Sequence, residues 1–217
     1  MRRAFLILAV VVLPACGSSN RETPAPAAEQ PATGTPVAET SAAVEPPCNR
    51  GSADAPVRLE VFSDYECPSC RAFYLQTMKQ IFTNYADNGK VCIVYREFPT
   101  YEHSREAARY ARASLRVGAA QWAKVIEAFY QTQPDWSQTG NVEAVVSAAL
   151  GPEDFERVRK LAQDPSLENV IDDDAIQGVR REVMGTPTSF ITAGGKTEKV
   201  DGALTYASMQ RHLDPLF

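Results

Sequence analysis

Two cysteines in the run Cys67-Pro68-Ser69-Cys70 stand where one kind of patterning ends and another begins. Before them, Val57-Arg58-Leu59-Glu60-Val61-Phe62 alternates with the period of a strand. After them, Pro68 to Ala86 carries Phe73, Met78, Ile81, Phe82 and Tyr85 at helical spacing, closed by Asn88-Gly89. A bare CxxC fits many proteins, but one that opens a helix directly after a strand is far more restrictive. Cys67 then meets the unpaired N–H groups and the positive dipole end of the helix N-terminus, which favour a thiolate. Its pKa is expected to fall below the free value of about 8.5, into a range of about 3.5–7.5. Pro68 suits the first turn because it has no N–H to leave unpaired there. Cys70 lies within disulfide reach, one turn inward and less exposed. Cys67 is therefore expected to be the attacking sulfur and Cys70 the resolving one. A structural disulfide could use the same residues, as could half of a four-cysteine zinc site. The zinc reading is the weaker, since neither Cys48 nor Cys92 belongs to a second CxxC.

The rest of the chain reads as β-α-β, a helical block, then β-β-α. Val91–Tyr95 is short and β-rich, and predicts a buried strand. Ser104 to Met184 is mostly helical, with breaks expected at Gly118, from Pro134 to Gly140, at Gly151-Pro152 and at Pro165. Asn141 and Ser166 are the expected N-caps. Trp122, Phe129 and Tyr130 recur at helical spacing and are read as packing for this block. Asp172-Asp173-Asp174 lacks the alternating ligands of a calcium loop and is read as a solvated helix face. Thr188–Thr192 and Glu198–Val200 predict a hairpin around Ala193-Gly194-Gly195-Lys196, and Thr205–Leu213 a last helix. With 217 residues, 44% hydrophobic and 23% charged, the chain can bury a stable core and is neither wholly disordered nor a polytopic membrane protein. The net charge is −5 and no Lys/Arg run follows Arg3, so no nucleic-acid partner is expected.

The N-terminus reads as an address. Met1-Arg2-Arg3 precedes ten apolar residues, Ala4–Leu13, too few to span a bilayer that needs roughly 20. Residues 1–15 fit a signal peptide. Leu13-Pro14-Ala15-Cys16 resembles a bacterial lipobox, with Pro14 unusual for its place, and makes Cys16 the expected lipidation site; a plain cleaved signal is the alternative. Residues 16–47 then form a lipidated cysteine and a Pro/Ala-rich tether without Leu, Ile, Met or aromatic residues, unable to offset its ordering entropy. It would span roughly 30 Å as a coil and about 95 Å in polyproline form. The acylated chain would be anchored in the lipid bilayer of a bacterial cell envelope. No Asp follows Cys16, which points to the periplasmic side of the outer membrane in a double-membraned host.

Downstream lies Gly185-Thr186-Pro187-Thr188, directly before the hairpin. Strand, CPSC, helix, GTPT, hairpin and terminal helix together resemble the thioredoxin fold. The helical block between the halves resembles the DsbA-like thiol–disulfide oxidoreductases. Ala55-Pro56-Val57, Phe62-Ser63-Asp64-Tyr65-Glu66, Arg96-Glu97-Phe98-Pro99 and His103 sit where that family has similar residues. The resemblance implies an α/β class, a thioredoxin-like fold over 48–217 with an inserted α-helical subdomain at about 104–184. It implies that Pro187 is cis and packs on the Cys67–Cys70 pair, and that the Thr186 backbone pairs with an extended substrate peptide beside Pro68 and Ser69. Catalysis would rest on Cys67, Cys70 and Pro187. The implied function is disulfide exchange with exported proteins, most readily as an oxidase working with a membrane redox partner, as a monomer. No metal or organic cofactor is needed, because the cysteine pair itself carries two electrons. A disulfide isomerase or reductase, and a non-catalytic peptide-binding module, are the rival readings.

Three features depart from the strongest oxidants of that family. The position six residues before Cys67, an acid in thioredoxins and many DsbA-like proteins, is Val61; its neighbour Glu60 points to the other face of the strand. The intervening dipeptide is Pro-Ser, and the Glu66 carboxylate is expected to raise the Cys67 pKa. Cys48 and Cys92 are left over, and in an exported protein such a pair usually bonds. A bridge would close a loop worth roughly 3–4 kcal/mol, while a shuttle thiol at Cys48 is the other possibility. His103 reads as a loop-closing residue before a helix, with a place near the active site as the alternative.

Overall fold

The computed structural model describes residues 48–217. The expected signal peptide of residues 1–15, lipidation of Cys16 and tether up to residue 47 lie outside the described residues. Four strands form one sheet in the order β2-β1-β3-β4. β1 (Val57–Ser63) and β2 (Val91–Glu97) pair in parallel, Val57 opposite Val91 and Ser63 opposite Glu97. A parallel pair needs a crossover. Helix α1 supplies it, running continuously over 68–86 with wider π-turns at Tyr74–Met78 and Phe82–Ala86. β3 (Thr188–Ala193) runs antiparallel to β1, and β4 (Lys196–Asp201) antiparallel to β3. Gly194 and Gly195 both have positive φ, +55° and +76°, which the tight turn between β3 and β4 requires.

Between β2 and β3 come α2 (Ser104–Val117), α3 (Ala119–Thr139), α4 (Val142–Ala149), α5 (Pro152–Leu161) and α6 (Ser166–Arg180); α7 (Tyr206–Leu213) follows β4. Strand alternation divides the sheet's side chains. Val57, Leu59 and Val61 join one core with Phe73, Met78 and Ile81 of α1 and with Met209 and Leu213 of α7. Phe62 faces the other way, packed with Val183 and Phe190. Gly178 of α6 approaches that second cluster so closely that a Cβ there would stand 2.6 Å from the Phe98 ring. The inserted helices share the first core: Trp122, Phe129 and Tyr130 are wholly buried, and Trp122 packs edge-on against Tyr95 at 5.4 Å. The small residues Ala107, Ala108 and Ala111 of α2 are buried in the same cluster.

Three expectations are corrected. Helix α3 does not break at Pro134 but runs through it to Thr139, with Gly140 as a left-handed C-cap at φ +69°. Proline interrupts a helix by removing a donor to the carbonyl four residues back. Here that carbonyl, on Tyr130, accepts from Arg71 Nε at 2.8 Å. Ser166 is the first helical residue of α6, not its cap, and its N–H is met by Asp164 Oδ1 at 2.9 Å. Asn141 does cap α4, accepting from the Ala144 N–H at 3.3 Å. Asp172 and Asp173 are exposed as expected, but Asp174 is buried. Its carboxylate accepts from Arg96 at 2.9 Å, from the Glu97 N–H at 3.0 Å, and from Arg112. Glu60 joins the same buried network through Arg96 at 2.7 Å and Arg181 at 2.9 Å. Charges that pattern alone assigns to solvent are buried because oppositely charged partners arrive from β2, α2 and the end of α6.

Cys48 and Cys92 form a disulfide with their Cα atoms 5.4 Å apart. Neither is a free thiol, so the bridge takes precedence over the shuttle. It ties the start of the described chain to β2.

Candidate active site

Cys67 is the N-cap of α1, with extended backbone (φ −72°, ψ 123°), and Pro68 takes the first helical position. The chain preceding it is held by Asp64, which is buried. One carboxylate oxygen accepts from the Glu66 N–H at 2.8 Å and from Ser104 Oγ at 2.5 Å; the other accepts from the Thr100 N–H at 2.7 Å and its hydroxyl at 2.9 Å. Asp64 thus joins the loop before Cys67 to the loop before α2. Sequence reasoning missed this role, although Asp64 lies in the quoted FSDYEC run.

Helix α3 grips the site from the other side. Gln133, also buried, donates to the carbonyls of Tyr65 at 2.8 Å and Cys67 at 3.0 Å. Next to it, Pro134 frees the Tyr130 carbonyl for Arg71, the residue after Cys70. These contacts fix the first turn of α1 through backbone atoms.

Both active-site cysteines are free thiols in this structure, Cys67 5% and Cys70 1% exposed. Across from them the Thr186-Pro187 peptide bond is cis, with Pro187 buried. The Cys67 thiol lies 3.4 Å from the Thr186 carbonyl oxygen. Pro68 and Ser69 are exposed beside the pair, and Thr186 is half-buried. The residues singled out by motif are thus brought together at one end of the sheet, past the C-terminus of β1 and before the N-terminus of β3, its two central strands.

The two sulfurs are electrostatically unlike. A hydrogen bond from Cys70, helped by Thr186 and by the backbone N–H groups of Cys70 and Ser69, outweighs burial and brings Cys67 down to about 5. Burial, followed by the Cys67 thiolate, pushes Cys70 well above the usual thiol range. A low-pKa sulfur at a helix N-terminus is a nucleophile and good leaving group; a more deeply buried one that keeps its proton holds an internal second thiol.

Glu66 does not bear on Cys67 in the way its adjacency implies. Its carboxylate turns to the start of α2, accepting from the His103 N–H at 2.8 Å and Ser104 Oγ at 3.3 Å. His103 accordingly closes the loop, its ring packed on Gly140. Glu60, in the buried ion network, faces away from the cysteines as expected. An open apolar groove of about 680 Å³ between α3 and α4, lined by Ala128, Trp136, Val145 and Ala148, includes none of these site residues.

Comparison with known proteins agrees with this geometry. The model of a family described as Thioredoxin matches residues 44–215. A probable disulfide bond formation protein D of Bacillus cereus is 23% identical over 146 residues, covering 65% of this chain and 68% of that protein. The solved structure of alpha-DsbA1 of Wolbachia pipientis superposes with a TM-score of 0.64 at 18% identity, covering 77% of this chain and 88% of that one. Oxidised BdbD of Bacillus subtilis also gives 0.64, at 19% identity and with 77% and 92% covered.

Proposed function

The chain belongs to the thioredoxin family and is a DsbA-like thiol–disulfide oxidoreductase; on that premise we propose that it is an exported oxidase of protein thiols. The observation that carries the direction is the asymmetry of the pair. A Cys67 thiolate stabilised to about 5 favours the reduced form and so makes the disulfide a good electron acceptor. A substrate thiolate attacks the Cys67 sulfur of the oxidised pair, and Cys70 leaves. A second substrate thiolate attacks the substrate sulfur of the mixed disulfide, and the Cys67 thiolate leaves with two electrons gained by the pair. A membrane redox partner then restores the disulfide: Cys67 attacks it, and Cys70 resolves the mixed disulfide.

In this reading Pro187 packs against the pair, and the Thr186 backbone receives an extended substrate segment beside Pro68 and Ser69. Exposed Met184, two residues before Thr186, and exposed Tyr101 would suit apolar substrate residues. Residues 1–15 direct export, acylated Cys16 holds the chain at the envelope, and residues 17–47 let a monomeric domain reach substrates. The lipobox-like Leu13-Pro14-Ala15-Cys16 supports the anchor.

Equilibration of the chain in glutathione buffers tests the direction. A reduction potential near about −120 mV supports the oxidase; one near about −270 mV makes it a thioredoxin-like reductant.

A further inference from the structure

The peptide planes on either side of the Cys67 Cα are held from outside the helix that Cys67 caps. The plane before them, between Tyr65 and Glu66, is gripped at both ends: the Glu66 N–H donates to Asp64 Oδ1 at 2.8 Å, and the Tyr65 carbonyl accepts from Gln133 Nε2 at 2.8 Å. The Cys67 N–H donates to the Asp64 carbonyl at 3.2 Å. The Cys67–Pro68 plane has no N–H, because proline follows. Its carbonyl is the polar handle on that plane, and Gln133 Nε2 holds it at 3.0 Å beside the Arg71 N–H at 3.1 Å. Both partners of Gln133 are carbonyls, which only accept, so the two protons of its amide group are both engaged here. At 4% exposure Gln133 has little water to turn to instead. It reaches the site from α3, 66 residues along the chain from Cys67.

Beyond the backbone the Cys67 sulfur has one rotatable bond. Fixing the planes on both sides of Cα fixes φ at −72° and ψ at 123°, and with them the direction of the Cα–Cβ bond. That direction places Sγ 3.4 Å from the Thr186 carbonyl oxygen, on the wall opposite α1. Thiol–disulfide exchange is a displacement at sulfur, in which the attacking, central and leaving sulfurs come into line. A misdirected central sulfur therefore loses rate.

We propose that Gln133 is a positioning residue for disulfide exchange at Cys67, aiming the Cys67 sulfur at the incoming sulfur by holding the carbonyls of Tyr65 and Cys67. The proposal rests on the thiol–disulfide exchange reading above. With glutathione as reductant, a glutathione thiolate attacks the Cys67 sulfur of the oxidised pair. The new S–S bond forms, the Cys67–Cys70 bond breaks, and Cys70 leaves and takes up the proton that glutathione gave up. A second glutathione thiolate attacks the glutathione sulfur of the mixed disulfide, releasing the Cys67 thiolate and glutathione disulfide. Two electrons pass from two glutathiones to the pair. Gln133 exchanges no proton or electron; it holds the central sulfur in the first step and the leaving sulfur in the second.

Gln133 carries no charge, so replacing it with methionine leaves the titratable groups around Cys67 in place: Cys70 on α1, Asp64 and Glu66 before it, and Tyr101 before α2. The Cys67 thiolate is held at about 5 by Cys70, by Thr186 and by the N–H groups of Cys70 and Ser69. Each of these acts only on a sulfur that points toward it. A changed Cys67 titration in Gln133→Met therefore reports the direction of the sulfur and not an altered set of charges.

The test uses the full chain and its variants Gln133→Met, Gln133→Asn and Tyr110→Phe. Gln133→Met keeps the length of the side chain and removes both donors. Gln133→Asn keeps the amide but withdraws it by one methylene. Tyr110→Phe loses a hydrogen bond to Glu143 that joins α2 to α4 away from the site. Stopped-flow mixing of the oxidised chain with glutathione at neutral pH gives the rate of reduction. The ultraviolet absorbance of the thiolate in the reduced chain, followed with pH, gives the Cys67 midpoint. Gln133→Met is expected to slow reduction about tenfold and to move the midpoint up by about half a pH unit. Tyr110→Phe is expected to match wild type in both. A wild-type value of either quantity in Gln133→Met would overturn the proposal. Equal changes in Tyr110→Phe would overturn it too, since any loosening of the inserted helices would then suffice. If Gln133→Met does not fold, Gln133→Asn carries the same comparison with the same outcomes. A wild-type pair that glutathione cannot reduce would overturn the exchange reading itself, a result distinct from one in which the variants behave like wild type.

Discussion

Arg71 Nε donates to the carbonyl of Tyr130 at 2.8 Å, the carbonyl that Pro134 leaves without a helical donor. The relationship predicts a coupled pair of substitutions. Arg71→Met leaves that carbonyl unmet and is expected to cost about 1–2 kcal/mol of stability. In a Pro134→Ala background the new N–H can replace Arg71, and the same substitution should cost less than half as much. Urea denaturation of the four proteins gives the coupling directly; additive costs would show that the proline does not create the need for Arg71.

The lowered pKa of Cys67 predicts a pH dependence of one redox form only. A group whose folded pKa lies below its unfolded value stabilises the fold above the unfolded pKa and loses that contribution as pH falls through the folded one. For Cys67 the window runs from an unfolded value of about 8.5 down to about 5 in the fold. Cys70, displaced upward, keeps its proton throughout. The reduced chain should therefore gain stability relative to the oxidised chain as pH rises from 5 to 8. Denaturant melts of both forms at each pH check this, and parallel changes in the two would contradict it.

Ser189 stands opposite Val61 in the sheet, and its buried Oγ has no hydrogen-bond partner among the described residues. An unmet buried hydroxyl costs about 1–3 kcal/mol, partly offset here by the small void its removal leaves. Ser189→Ala is expected to raise stability by about 1 kcal/mol. Destabilisation by the same amount would reveal that the hydroxyl has a partner after all.

Asp174 and Asp172 share a helix and a charge but not an environment. Asp174→Ala takes one partner from each of the buried Arg96 and Arg112, which keep Glu60 and Glu97, leaves the Glu97 N–H unmet, and should cost about 3 kcal/mol. Asp172 pairs with Arg105 at an exposed site, 2.8 Å apart. Asp172→Ala should cost less than about 1 kcal/mol. Thermal melts separate the two, and similar losses would mean that burial does not distinguish them.

Much of the site was legible in the chain because its signals are local. A strand period followed by a helix period puts Cys67 at a helix N-terminus, and a few neighbouring residues suffice to state the consequence for its thiol. Asn141 as a cap and Gly194-Gly195 as a turn are readable for the same reason. Glu66 marks the limit of adjacency: it is next to Cys67 in sequence, but two donors from the start of α2 turn its carboxylate away.

The sequence by itself determined the order of elements and which of the two CxxC cysteines caps the helix, since periodicity and helix-end chemistry act within a turn or two of the chain. Only the tertiary structure decided that Pro134 would sit inside a helix, that Asp174 would be buried, and that Ser63 would meet Tyr130, a residue 67 positions away. Each of these turns on whether a buried polar group finds its partner. That partner comes from a distant element, brought into reach only when the sheet and the inserted helices close around one core.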